Sequence, residues 1–157
     1  MKNVNKKSKI SNTVIYIAIF CIISVIVIVL LKIKFSRVYI LNVPKIENTE
    51  DIVISLQNDK SNSVNYDSAD IMNDILKVLS GGQNGKTRTT KIQSVNDNPS
   101  NVSNVIVIKF NLKNSDATSI AMYVYNKDKA FYIEQPYNGI YRISPDEYNS
   151  IKNLIIK

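Results

Sequence analysis

Histidine and tryptophan are missing from this 157-residue chain, and cysteine occurs once. Without histidine there is no Ser-His or Cys-His dyad, no imidazole base and no histidine-ligated metal. The lone Cys21 rules out an intramolecular disulfide and a cysteine cluster for zinc or iron–sulfur. No cofactor and no metal is therefore expected. Charged residues make up 21% of the chain and hydrophobic ones 45%, which excludes a disordered charged tail and allows one folded domain of ordinary size.

The formal net charge of +7 raises the question of nucleic acid, and its location answers it. Lys2, Lys6, Lys7 and Lys9 precede a long apolar run, and Lys32, Lys34 and Arg37 follow it. Those seven cations account for the whole excess, leaving 13 basic residues against all 13 acidic ones from Val38 onward. Phosphate binding needs a basic face on a folded domain. Here the charge brackets a membrane segment instead, so no nucleic-acid partner is expected. The small cluster Lys86, Arg88 and Lys91 is expected to be a solvated strand edge.

Val14 to Leu31 is a run of 18 uncharged residues, apolar but for Ser24. As a helix it is about 27 Å long, and Ile33 and Phe35 extend it to about 30 Å, the thickness of a bilayer core. A helix greasy on every face has no place on a water-soluble surface. The expected organisation is a cytoplasmic tail at 1–12, a transmembrane helix at 13–35 and an extracytoplasmic domain at 38–157. The excess of lysine before the span places the N-terminus in the cytoplasm and the C-terminal domain outside the cell membrane. The apolar stretch exceeds a cleavable signal in length and no small-x-small site follows it, so it is expected to remain as a signal anchor. Cys21 then faces lipid as a small apolar side chain.

Beyond the span, short strands are expected at 38–43, 51–57 and 63–66, with the polar run 58–62 as a turn. A helix starts near Asp67 or Ser68, carries Ile71, Met72, Ile75, Leu76 and Leu79 on one stripe, and ends at Gly81 and Gly82. Gly85 lies close behind, so this loop is expected to be mobile. The stretch 87–95 is expected to be extended, and 96–104 a polar loop. Ile106, Ile108, Phe110 and Leu112 alternate along the strongest strand. Ile120, Met122, Val124, Phe131 and Ile133 share the core face of a hairpin that turns near 126–129, with Tyr123, Tyr125, Tyr132 and Glu134 opposite. A turn at 136–139 leads to a strand at 140–143. Ser144, Pro145 and Glu147 open the last helix with a capping box. The order implies an α+β fold: an antiparallel sheet with two helices packed on one face, after one transmembrane helix.

Six of the nine tyrosines fall between positions 123 and 148. On an exposed sheet face they would form a rigid contact surface with polar tips. Equally, tyrosine favours strands and pairs across them. The candidate binding residues are Tyr123 and Tyr132 on the outward sheet face, with Glu134, Tyr137, Asn138, Tyr141 and Arg142 clustered around a turn. The structural alternative is that Pro136 and Gly139 shape the backbone while Glu134 and Arg142 pair across the hairpin. No Ser-x-x-Lys or Gly-x-Ser-x-Gly motif supports Ser94, Ser103 or Ser119 as a nucleophile. Asp67, Asp70 and Asp74 offset a helix dipole rather than form an acid pair.

The run Tyr123-Val124-Tyr125 and Phe131 through Tyr141, above all Glu134-Gln135-Pro136-Tyr137-Asn138-Gly139-Ile140-Tyr141, resembles the family called domain of unknown function 5301. Leu41-Asn42-Val43-Pro44-Lys45 and Thr89-Thr90-Lys91 resemble its earlier segments. The chain departs from the pattern at Lys129-Ala130, where a Gly-Lys pair is expected. The resemblance covers residues 38–157. It implies a Gram-positive bacterial, membrane-anchored domain without assigned catalytic residues, found beside sensor-peptidase-like proteins.

The functional expectation is a single-pass membrane protein whose outer domain is a binding module rather than an enzyme. Its partners would be the lipid bilayer and another membrane or envelope component: a protein, an envelope polymer or a peptide. Tethering would raise its effective concentration for neighbours. The rivals are an envelope-acting hydrolase and an immunity or inhibitor protein against an extracellular toxin.

Overall fold

The computed structural model describes residues 12–81, 87–113 and 119–155, and the chain separates into two units, Met1–Arg37 and Val38–Lys157. The expected tail at 1–12 lies outside the described residues but for its last position. The first unit is one helix, α1 (Asn12–Ser36). From Val14 to Ile33 it is long and apolar enough to cross a membrane, and its large apolar side chains are exposed on all sides. Ser24 donates its hydroxyl to the Phe20 carbonyl at 2.9 Å, so the one polar side chain in the run is satisfied within the helix.

The second unit is α+β. In chain order it holds β1 (Tyr39–Ile40), a 3-10 turn at Ile46–Asn48, β2 (Thr49–Leu56), β3 (Asp59–Tyr66), α2 (Ala69–Ser80), β4 (Thr89–Thr90), β5 (Ile106–Leu112), β6 (Ser119–Lys127), β7 (Ala130–Glu134), β8 (Ile140–Ile143) and α3 (Pro145–Asn153). Six strands form an antiparallel sheet in the order β3-β2-β5-β6-β7-β8, and β1 pairs with β4 in a separate ribbon.

Alternation decides which face is closed. Ile52, Ile54, Ile106, Ile108, Phe110, Met122, Val124, Ile133, Tyr141 and Ile143 all point to one side and are buried there against Met72, Ile75 and Leu79 of α2 and Ile151 of α3. Apolar burial of this kind is the main stabilising term of the unit. Ile71, expected on the α2 stripe, stays exposed at its margin. At the helix ends, Gly81 takes the left-handed conformation (φ 115°) that closes α2, while Gly82 and Gly85 lie outside the described residues. Ser68 is the N-cap of α2, and neither it nor Asp67 supplies a side-chain cap. Ser144 and Glu147 form the reciprocal capping box of α3.

Three local expectations are corrected. The β2–β3 loop is the pair Gln57-Asn58, and the polar run after it is strand: Leu56 pairs with Asp59. β3 is an edge strand whose described side chains packed on the core are Val64 and Tyr66, so polar residues elsewhere cost it little and conceal its length from hydrophobic alternation. Asp59 organises its start, accepting from the Ser61 hydroxyl and from Asn62 Nδ2 at 2.6 Å. In the ribbon, the strand expected at 38–43 shrinks to the two residues of β1, which pair with the two residues of β4 inside the extended stretch 87–95.

The third correction is Arg88, which is no solvated edge. Its Nε donates to the Leu79 carbonyl at 2.7 Å and its Nη2 to the Val78 carbonyl at 3.0 Å, and Nη2 lies 2.5 Å from Glu147 Oε1. One guanidinium thus fills the open carbonyls at the C-terminus of α2 and joins them to the N-terminus of α3, favourable to both dipoles. Burial pushes the Glu147 carboxyl up, but the hydrogen bonds from Arg88 and the Ser144 amide with the guanidinium charge outweigh it, so its pKa lies below the ordinary 4.5.

The β6–β7 turn falls within the expected stretch 126–129. Lys127 pairs with Ala130, and the two loop residues Asp128 (φ 52°) and Lys129 (φ 62°) both adopt left-handed torsions. That is the backbone of a type I′ hairpin built without glycine.

Arg88→Ala should lower the unfolding free energy by roughly 2–3 kcal/mol, and Arg88→Lys should restore only part because it lacks the planar fork. The contribution of this pair is complete above the ordinary carboxylate pKa and fades as pH falls through the lowered Glu147 value. Urea unfolding followed by tyrosine fluorescence should therefore show the gap between wild type and Arg88→Ala narrowing in acid; a constant gap would refute the pairing. Lys129→Gly should raise stability by roughly 1 kcal/mol by relieving a left-handed lysine, measured in the same way.

Candidate functional site

Among the described residues of the second unit, no helix covers the other face of the six-stranded sheet. Its floor is the complementary set of alternating side chains: Val53 and Ser55 on β2, Val107 and Lys109 on β5, Ala121, Tyr123 and Tyr125 on β6, Tyr132 and Glu134 on β7, and Arg142 on β8. The segment between β4 and β5 is folded over part of this floor. Val102 and Val105 pack on Tyr123, Tyr125 and Tyr132, and the Gln57 amide donates to the Val105 carbonyl at 2.8 Å. Asn101 and Asn104 take positive φ (58° and 54°), which lets the segment turn back on itself.

Beneath that segment lies a buried polar network. Glu134 is 4% exposed, and its carboxylate accepts from the Ser94 hydroxyl at 2.7 Å and the Tyr125 hydroxyl at 2.8 Å. Both oxygens are satisfied, as removal from water requires. Burial and the adjacent carboxylate push the Tyr125 phenol far above its ordinary 10, and burial, with Asp97 and Glu134, also raises Tyr123. The Tyr125 ring lies 5.7 Å from that of Tyr132, centroid to centroid, and is tilted by 32°.

Where the segment stops, the floor opens into a groove of about 650 Å³. Val53, Val107 and Ala121 make its apolar base, Ser55, Ser63 and Ser119 its polar flanks, Lys109 its cation, and Tyr123 with Asn98 its wall toward the covered half. A smaller hollow of about 530 Å³ adjoins it beyond Tyr123 and Asn98, bounded by Asp97, Gln135 and Pro136.

The candidate residues named from sequence do not converge on one pocket. Tyr123 borders the groove but is 9% exposed. Tyr132 is half-buried in the cross-strand stack, and Arg142 is exposed opposite it. Arg142 is thus not the partner of Glu134: the register sets Glu134 against Ile140, and its carboxylate is taken by Ser94 and Tyr125. Tyr137 is 66% exposed at the turn and donates its hydroxyl to Asp97 at 2.6 Å, which raises its pKa. Asn138 is a bracing residue, donating to the Ile40 carbonyl at 2.8 Å and to Gln135 Oε1 at 2.7 Å. Tyr141 belongs to the opposite face, in the helix-covered core, where burial pushes its pKa up to about 12 and its hydroxyl has no hydrogen-bond partner. That hydroxyl lies over Gly139, where a Cβ would come within 2.8 Å of it and 2.6 Å of Thr90 Cγ2, so only glycine fits there.

Sequence reasoning missed the groove because its lining is ordinary: valines, serines and an alanine on the outward half of alternating strands. The available signal was the small size of Ser55 on β2 and of Ser119 and Ala121 on β6, two strands that flank β5, which has meaning only once the strand order and register are known. Among the described residues no group of three or more Cys, Asp or Glu side chains is arranged to hold a metal ion.

Glu134→Ala should destabilise the unit by roughly 2–4 kcal/mol, because it leaves the Ser94 and Tyr125 hydroxyls buried without an acceptor. Glu134→Gln, which keeps a carbonyl acceptor, should cost less. Equal losses in urea unfolding would show that packing alone matters at this position.

Comparison with known proteins places this architecture. No curated protein matches the chain. A solved structure described as an NMR structure of a protein from Ruminococcus gnavus is similar, with 28% sequence identity and a TM-score of 0.52, over 69% of this chain and 98% of that one. Nearly the whole of that chain is thus accommodated in about two thirds of this one. A family model named DUF5301, described as "Domain of unknown function (DUF5300)", matches residues 38–142, most of the second unit. The chain belongs to this family of unknown function.

Proposed function

We propose that the protein is a single-pass membrane protein whose second unit, held outside the cell, binds an extended segment of a partner in the groove on the sheet face opposite α2 and α3. The groove carries this reading. Its volume of about 650 Å³ falls in the range of ligand sites, and the flat apolar base between serine flanks suits a peptide of a few extended residues. Among its described lining residues there is one cation, Lys109, and no carboxylate, which supports binding of an acidic segment over acid–base hydrolysis. The anchor rests on α1: an apolar helix of this length, exposed on every side, is stable in lipid and not in water. The flanking lysines support the cytoplasmic N-terminus.

Fluorescently labelled pentapeptides, acidic, neutral and basic, should discriminate when titrated against the full chain in nanodiscs. Acidic peptides should bind best. Ala121→Trp, which fills the base of the groove, should weaken them at least about tenfold, and Lys109→Glu should reverse the charge preference. Binding indifferent to both substitutions would refute the groove as the site.

A further inference from the structure

Among the described residues of the second unit, six large hydrophobic side chains remain exposed: Val38, Ile40, Ile71, Ile92, Val95 and Tyr137. Single exposed hydrophobics are ordinary; gathered ones mark a contact surface. All but Ile71 lie on three short segments that hydrogen bonds fasten together. Ile40 is set in β1 against Thr89 of β4. The Ile40 carbonyl accepts from Asn138 Nδ2 at 2.8 Å, the Ile92 carbonyl from the Ile140 amide at 3.0 Å, and the Ser94 amide donates to the Asn138 carbonyl at 3.2 Å. Tyr137, at positive φ (58°), forms the tip of the turn that all three meet. Ile40, Ile92, Val95 and Tyr137 are between 56% and 66% exposed, although the backbone carrying them is pinned at each point.

The chain itself indicates what covers them. α1 ends at Ser36 and β1 begins at Tyr39. Three peptide steps span at most about 11 Å, comparable with the headgroup layer beside a bilayer core. Exposed Lys91 stands between Thr90 and Ile92, and Arg37 immediately precedes Val38. Tyrosine with aliphatic and basic neighbours is the composition favoured at a membrane–water interface. Asp97, the acid bonded into this region, already accepts the Tyr137 hydroxyl.

We propose that Ile40, Ile92, Val95 and Tyr137 form a lipid-docking surface that rests on the membrane crossed by α1, with Lys91 against anionic headgroups. The proposal rests on the reading of α1 as an anchor. It makes the second unit a body seated on the bilayer rather than one swinging from a tether.

Depth-dependent quenching tests it. In a Cys21→Ser background, single cysteines are introduced as Ile92→Cys, Val95→Cys, Val27→Cys within α1 and Ser150→Cys on α3, each labelled with an environment-sensitive fluorophore. The full chain is placed one copy per nanodisc, in phosphatidylcholine mixed with phosphatidylglycerol, with doxyl-labelled lipid as quencher. Labels at 92 and 95 should be quenched at least about twofold more than at 150, and less so with Lys91→Glu or without phosphatidylglycerol. Quenching at 27 with 92 and 95 no different from 150 would overturn the docking and leave the anchor standing. No quenching even at 27 would overturn the anchor, and the docking with it. Crosslinking of 92 or 95 to a second copy, without quenching by lipid, would overturn the proposal in favour of a protein interface.

Discussion

Glu134 is taken out of water on the face of the sheet opposite α2 and α3, and the arrangement of that face depends on it. A buried carboxylate is tolerated only when its oxygens are met by donors. Tyr125, from the neighbouring strand, supplies one donor, and Ser94, distant in sequence, supplies the other. The second bond fastens the segment after β4 to the sheet. From that attachment follow the covered half of the face, the wall that Tyr123 and Asn98 give the groove, and the position of Ile92 and Val95 on either side of the tie.

The two faces divide the work of the unit. The helix face is closed by ordinary burial, with Arg88 joining the end of α2 to the start of α3. The opposite face is finished with polar contacts and the long segment between β4 and β5, which covers part of it and leaves an open groove beside a sealed network. Binding surfaces are commonly carried in this way, on loops and sheet faces held by a rigid scaffold. Gly139 serves both faces: its missing side chain gives room to the Tyr141 ring on the core side, while its neighbour Asn138 ties β1 and the segment at 94 to the turn.

The elements most legible in the sequence were those whose determinants are local. Ile106, Ile108 and Phe110 alternate over a strand, Met72, Ile75 and Leu79 recur at the helical period, and Ser144-Pro145-Asp146-Glu147 contains its own capping chemistry. β3 was only partly legible, because an edge strand needs few inward apolar residues and its polar start resembles a turn. Among the candidate tyrosines, Tyr123, Tyr132 and Tyr141 were legible as strand residues and Tyr137 as part of a turn. Tyr123 and Tyr125 lie under a loop whose path no local pattern announces, and Tyr141 faces the helices because of its place in the pleat.

The amino-acid order by itself determined that an apolar helix opens the chain, that the remainder is charge-balanced and α+β, and to which family it belongs. Hydrophobic period, capping and flanking charge act within a few residues of one another, so they can be read along a line. Tertiary structure alone decided that Arg88 would meet Glu147 across 59 positions, that Ser94 would meet Glu134 across 40, and that small side chains from β2 and β6, on either side of β5, would leave a groove. Those meetings are set by strand register and by how the chain returns over the sheet, and the free energy that selects them comes from burying the whole core at once.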